Sequence, residues 1–407
     1  MKGVRGVGVV DVDLDGGWRV GRRATVKGNW KKGLLAGLML AAPAAQGATV
    51  FEPRLRLTAE ERYDDDLRLG DGETGGQLMT KLTPRVGLEA KDARLTLDSF
   101  YAADLLMRHG SGKVSLDHRA GLEARHVLTR RLRVDSAVRV FRVRDPSSLP
   151  RDGLARSTSP TFFTQASLGF TGRATERLDV RAGYKFEAVR ILESGQSPGY
   201  AHTPSLEAWY RSTRRLSLGM EYRYQAFLYE GALGQAHGAA AGLRYRLTRP
   251  MTFIARAGPV RYLAPDGQEG GWVPRVNVEL QREGELLDVG VAMGHDLVGA
   301  SGFTNAVWAD YAGVVLARRF TQKLNAFGAA SFFRNGRAPS RDWGVFKGSP
   351  TVSQGYALGA GLEYRIDRRI SAQGAVDRIA QVGVAESAGA ADLTRNVFAV
   401  RLVVTPW

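Results

Sequence analysis

Cysteine is absent from the 407 residues. Without a thiol the chain forms no disulfide, binds no zinc through cysteine and performs no thiol catalysis. Missing cysteine by itself does not distinguish an exported from a cytoplasmic protein.

Apolar runs long enough for a transmembrane helix are also lacking, since no segment has eighteen consecutive apolar residues. The short apolar stretch 33–42 follows a cluster of lysines and precedes the small residues Ala45-Gln46-Gly47, which is the pattern of a secretory signal. We therefore predict a signal peptide at 26–47, an extra or mis-assigned leader at 1–25, and one domain at 48–407.

Catalytic and metal-binding patterns are scarce as well. The six histidines show no metal-ligand spacing among themselves or with carboxylates, so we expect no metal and no other cofactor. His118 follows Asp117 and His295 precedes Asp296, but neighbours in a strand point to opposite faces and cannot share a site. A hydrolase using His109, His118 or His295 is one alternative, and we expect none of the three to be catalytic.

Basic residues outnumber acidic ones, with 57 Lys and Arg against 41 Asp and Glu. Removal of residues 1–47 would take away eight basic and three acidic residues and leave a net charge of +11. Nucleic acid would be an improbable partner for a secreted chain, so we expect none.

Alternation of apolar and polar residues is abundant. In LSLGMEYRYQAFL, every second residue from Leu216 to Leu228 is apolar, whereas Glu221 and Arg223 lie on the other face. About eighteen such segments follow Phe51, each about ten to fourteen residues long, which is the length of a tilted membrane-crossing strand.

Short turns of one type recur between these segments: LTRRLRV at 128, ATERLDV at 174, STRRLSL at 212, LTRPMTF at 247, FTQKLNA at 320 and IDRRISA at 366. The intervening connections, such as RDPSSLPRDGLARSTSP, are longer. Outer-membrane barrels have short periplasmic turns and long extracellular loops. We predict an all-β fold: a transmembrane antiparallel up-and-down β-barrel of about 18 strands, with both termini periplasmic.

The number and length of the strands favour an apolar face against lipid and a polar face around a lumen. Aromatic residues near strand ends predict interfacial girdles; they are Tyr63, Phe162, Tyr184, Trp209, Tyr210, Tyr229, Tyr245, Trp272, Phe320 and Tyr364.

Charged residues on the polar face are the predicted pore-lining set. In one interpretation they only hydrate the lumen and pair across neighbouring strands; in the other, the excess of arginine favours anions. The set is Arg85, Glu89, Arg119, Glu123, Arg139, Arg181, Lys185, Glu187, Arg223, Arg244, Arg246, Arg275, Glu279, Glu363 and Arg365.

The C-terminal sequence NVFAVRLVVTPW resembles the terminal strand of outer-membrane barrels, which ends in an aromatic residue that the assembly machinery reads. Phe398 and Trp407 match that assembly signal. From Phe51 to Trp407 the chain resembles the plug-less, porin-like outer-membrane β-barrels associated with exopolysaccharide secretion loci. The resemblance rests on FEPRLRLTAEERYDDDLRL, on the repeated basic turns and on the terminal aromatic residue.

The resemblance implies an exopolysaccharide conduit in the outer membrane of a Gram-negative bacterium. The alternative is a general or anion-preferring diffusion porin, and a barrel hydrolase is the third. Expected partners are outer-membrane lipid, the barrel-assembly machinery, a periplasmic polysaccharide-export protein, and an anionic polysaccharide or small anions.

Overall fold

The computed structural model describes residues 50–66, 75–144, 160–192, 198–265, 270–299, 306–337, 351–383 and 392–406. Within these ranges no helix is long and apolar enough to cross a membrane. The described residues form eighteen antiparallel strands in one sheet. The strands are β1 (Val50–Asp64), β2 (Gln77–Lys91), β3 (Leu95–Arg108), β4 (Val114–Val127), β5 (Leu132–Val143), β6 (Thr161–Arg173), β7 (Leu178–Ile191), β8 (Gly199–Arg211), β9 (Leu216–Tyr229), β10 (Ala232–Arg246), β11 (Met251–Leu263), β12 (Trp272–Arg282), β13 (Leu287–Gly299), β14 (Ala306–Arg319), β15 (Leu324–Arg337), β16 (Thr351–Arg365), β17 (Ile370–Gly383) and β18 (Leu393–Val404).

The sheet closes into a barrel because β1 pairs with β2 on one side and with β18 on the other. Inside this seam, Arg401 Nε donates to Glu60 at 2.6 Å, and Arg395 pairs with the buried carboxylate of Asp64. Just beyond β1, desolvation tends to raise the pKa of Asp65, but hydrogen bonds from Asn396 outweigh it and lower the pKa below its ordinary value. The prediction of an 18-stranded all-β barrel is confirmed.

Turns of three or four residues join each even-numbered strand to the next odd-numbered one, from β2–β3 to β16–β17. In six of the eight, a Thr or Asp side chain accepts the N–H three residues later; the acceptors are Asp92, Thr129, Thr175, Thr213, Thr321 and Asp367. Connections on the opposite side are mostly longer, although Glu230-Gly231 forms a two-residue turn with φ of 52° and 80°, as type I′ requires. All six recurring sequence patterns lie in the short periplasmic turns, and five of them contain one of the six acceptors.

The outer face carries the apolar side chains. Met220 is 74% exposed, Val400 67% and Leu206 53%, an exposure that a soluble sheet would avoid. Among the aromatic residues predicted for the girdles, Trp209 is different, because it is 6% exposed and points into the barrel. Trp209 and Tyr210 are adjacent in β8 and must face opposite sides, so only Tyr210 faces lipid.

The extracellular end of the β13–β14 hairpin departs from this alternation. Leu297 and Trp308 lie opposite one another on one face, and Asp296 and Ala309 on the other, yet all four are buried. A wall strand has one face against lipid, so burial on both faces indicates that this end bends into the barrel mouth. Leu297 and Trp308 belong to an apolar cluster that includes Phe227 of β9.

Candidate functional site: the barrel lumen

Residues directly opposite each other on paired strands share a face, so the register identifies the lumen side. Arg85 lies opposite Ala102, and Ala102 lies opposite Arg119. Following such rows around the barrel places all fifteen predicted pore-lining residues on the inward face. Whether a solute contacts them in transit stays a prediction.

Several inward-facing charges are open to water. The side chain of Glu123 is 60% exposed and that of Lys185 is 45% exposed. Arg139 donates to Glu123 at 2.8 Å, and Lys185 pairs with Glu187 at 3.0 Å. Arg181 is also exposed. This part of the lumen is hydrated.

Other predicted pore-lining residues are bound to partners or lie at the rim. Glu89 pairs with Arg54, Arg119 donates to Asp104 at 2.7 Å, and Glu363 accepts from Asn325 at 3.2 Å. Arg246 and Arg365 are exposed and end their strands at the periplasmic side. The fifteen residues are thus distributed around and along the barrel rather than gathered at one point.

A buried group of ion pairs runs along the inner wall from β9 to β12 and β13. Arg223 Nη1 donates to Asp296 Oδ2 at 2.9 Å, and Arg275 Nε lies 3.2 Å from the same oxygen. Arg275 Nη1 also donates to Glu221 at 2.6 Å. All four side chains are at most 12% exposed. The structure thus brings the predicted residues Arg223 and Arg275 together through the carboxylate of Asp296.

Arg256 of β11 extends this group toward β8. Its guanidinium lies 3.4 Å from both Glu221 and Glu279 and 4.0 Å from Glu207. Trp209 packs beside it, with the guanidinium of Arg244 4.4 Å from the Trp209 ring centroid. We call Glu207, Glu221, Arg223, Arg256, Arg275, Glu279 and Asp296 the lumen ion-pair network.

Small residues on β10 make these contacts possible. The inward positions of β10 are Gly or Ala from Gly234 to Gly242, and Arg223 lies opposite Gly238. Because adjacent strands are about 4.8 Å apart, side chains of β9 can reach β12 and β13 only if nothing bulky stands between them. The small-residue strand therefore lets the network form across the inner wall.

An apolar cluster lies on the extracellular side of the network. Phe227 and Leu297 are fully buried in it, together with Val260, Tyr262 and Trp308. Gln225 Nε2 donates to the carbonyl of Leu297 at 3.3 Å and so joins the cluster to the network side of β9. One side of the extracellular half of the lumen is therefore filled by protein.

The sequence interpretation missed Arg256, Glu207, Glu221 and Asp296. Arg256 follows the inward but apolar Ile254, so β11 lacks a clean polar face. The alternation along β9 did place Glu221 on the polar, inward face, although Glu221 was not in the predicted pore-lining set. The run of Gly and Ala in β10 is the one sequence signal that could have indicated close approach of the neighbouring side chains.

His109, His118 and His295 each have a hydrogen-bond partner. On the lipid-facing side, the Tyr101 hydroxyl and His118 Nδ1 are 2.7 Å apart and form a hydrogen bond. His109 Nε2 lies 2.9 Å from Thr80 Oγ1 and 3.5 Å from Glu61; both groups approach the same ring nitrogen, whereas a triad requires them on opposite nitrogens. His295 Nδ1 lies 2.6 Å from Asp310. Among the described residues, no group of three or more His, Asp or Glu side chains could hold a metal ion.

The predicted assembly signal is described only in part. Phe398 is 52% exposed on the lipid side of β18, and its ring centroid lies 6.5 Å from that of Tyr63. Trp407, the leader at 1–25 and the signal peptide at 26–47 lie outside the described residues, so these assignments stay predictions.

No protein-family model and no curated protein matches the chain. Several solved structures are similar. OpdL of Pseudomonas aeruginosa is 14% identical, with 88% of this chain and 99% of that chain covered and a TM-score of 0.41. The outer membrane protein OpdK of the same organism is 12% identical, with 88% and 99% covered and a TM-score of 0.42. OccK5 (OpdH) is 12% identical, with 88% and 99% covered and a TM-score of 0.41.

At these values the matches carry no argument about what passes through the lumen. The location follows from the architecture itself. A closed antiparallel barrel satisfies every backbone hydrogen bond without a sheet edge, and its exposed apolar face requires lipid. The chain is an 18-stranded barrel of the Gram-negative outer membrane.

Proposed function

We propose that the protein is a diffusion channel for small solutes with a preference for anions. The observation that carries the proposal is the water-exposed charge on the inward face, at Arg181, Lys185 and Glu123. Ten of the fifteen predicted pore-lining residues are basic and five are acidic. A positive lumen raises the local concentration of anions.

The exopolysaccharide conduit rests on the sequence resemblance, together with the basic lumen and the lack of room for a plug. No comparison supports it, and the lumen ion-pair network with the apolar cluster fills one side of the barrel interior. A narrowed passage suits small solutes better than a polymer chain. We therefore favour the porin over the conduit, and the periplasmic export protein is no longer a required partner.

Conductance in planar bilayers tests the proposal. The purified full-length barrel should form channels that are open with no added partner. Channels that stay closed until a periplasmic protein is added, together with loss of surface polysaccharide in a deletion strain, would instead support the conduit. A barrel that assembles but never conducts would contradict both transport hypotheses.

A further inference from the structure

Two of the lipid-facing arginines at the extracellular end of the barrel lie in one row. His118, Arg142, Phe162 and Arg190 form one cross-strand row on the outer face of β4 to β7, each opposite the next. Arg142 precedes the last residue of β5, and Arg190 precedes the last residue of β7. Since the short turns lie in the periplasm, this row lies at the outer-leaflet end of the wall.

The row has the shape of a binding site for a charged lipid. Two strand steps separate Arg142 from Arg190, so their backbones are about 10 Å apart. Phe162 lies between them and is 37% exposed. Beside them, the ring of His118 is fixed by its hydrogen bond with Tyr101. Two guanidinium groups thus flank an exposed aromatic ring.

Among the residues that the structure describes, no carboxylate pairs with Arg142 or Arg190, and both side chains are exposed. Arg139 on the inward face, in contrast, pairs with Glu123. Two like charges at the edge of a hydrocarbon layer are costly without a counter-ion. An arginine fork matches phosphate oxygens in two hydrogen bonds, which a single point charge cannot do.

We propose that Arg142 and Arg190 bind the phosphate groups of a phosphorylated glycolipid of the outer leaflet, lipopolysaccharide. Phe162 packs against the lipid between the two phosphate contacts. The site is independent of what the lumen carries.

Binding of lipid A to the detergent-solubilised full-length barrel tests this site. The midpoint of the heat-induced gel-mobility shift should rise on addition of bisphosphorylated lipid A and stay unchanged with dephosphorylated lipid A. In R142S/R190S the apparent affinity for bisphosphorylated lipid A should fall at least tenfold. R142K/R190K keeps the charge but loses the guanidinium fork, so its affinity should lie between those of the unchanged protein and R142S/R190S. R318S, which removes a lipid-facing arginine at the periplasmic end, should bind as the unchanged protein does.

The proposal is overturned if R142S/R190S binds bisphosphorylated lipid A as tightly as the unchanged protein, or if dephosphorylated lipid A binds equally well. Equal binding of phosphatidylglycerol would overturn the assignment to the glycolipid. The gel-mobility shift also reports whether each variant is folded. If R142S/R190S fails to fold, R142K/R190K decides the matter: unchanged affinity there would contradict phosphate binding by guanidinium forks.

Discussion

Asp296 links two arginines that come from different strands. Its carboxylate accepts from Arg223 of β9 and lies against Arg275 of β12. A buried ion pair is not necessarily stabilising, but removal of one partner leaves a buried charge without compensation. The residues of the network are therefore coupled, and the effect of changing one depends on which partners remain.

D296A should lower the free energy of unfolding by about 3–5 kcal/mol, because Arg223 loses its carboxylate in a buried setting. The measurement is urea unfolding in detergent, followed by gel mobility. D179A is the matched control. The Asp179 carboxylate is 41% exposed and lies 3.6 Å from Arg173 and 3.9 Å from Arg211. Its removal should therefore lower the free energy of unfolding by less than about 1 kcal/mol. The double variant R223L/D296L should recover part of the stability that D296A loses, because it leaves no unpaired Arg223. Equal effects of D296A and D179A would show that the network is not buried.

Residue-level prediction from the sequence succeeded where strict alternation holds. Leu216 to Leu228 have the faces that the alternation indicates. Alternation alone would place Leu297 and Trp308 on the outward face, yet both are buried inside. Periodicity states which side of a strand a residue occupies, but not whether the strand end bends into the mouth of the barrel.

The short turns are the most repetitive elements of the chain. Each capping Thr or Asp accepts the backbone N–H of the first residue of the following strand. This repeat is visible in the sequence because the cap and the N–H donor are only three residues apart. The contacts between β9 and β13 were not predictable in this way, since they join residues more than seventy positions apart.

Removal of the four threonine caps together should destabilise the barrel measurably. T129A/T175A/T213A/T321A deletes four hydrogen-bond acceptors at separate turns, each worth about 0.5–1 kcal/mol at an exposed site. The turns are distant, so the losses should add to about 2–4 kcal/mol. The same four positions changed to Asp should retain stability, because Asp367 caps its own turn in this way. If the Asp variant is as unstable as the Ala variant, the capping explanation is wrong. Urea unfolding in detergent provides the measurement.

At the scale of the whole molecule, the charged side chains inside the closed barrel have two different roles. Inside, paired charges narrow the lumen at the network, while exposed charges such as Arg181 remain available to ions. Arg223 and Arg275 are predicted pore-lining residues, but reversal of their charge would place glutamate beside Asp296 and Glu221 and would endanger folding. Arg181 and Lys185 are exposed, so their charge can be reversed without breaking the network.

The reversal potential in a KCl gradient tests the central claim most directly. The unchanged protein should be anion-selective, and R181E/K185E should shift the reversal potential toward cation selectivity while the barrel still assembles. R318E alters a lipid-facing charge outside the lumen and should leave selectivity unchanged. A cation-selective unchanged protein, or a reversal potential that R181E/K185E does not move, would contradict an anion-preferring channel lined by these residues.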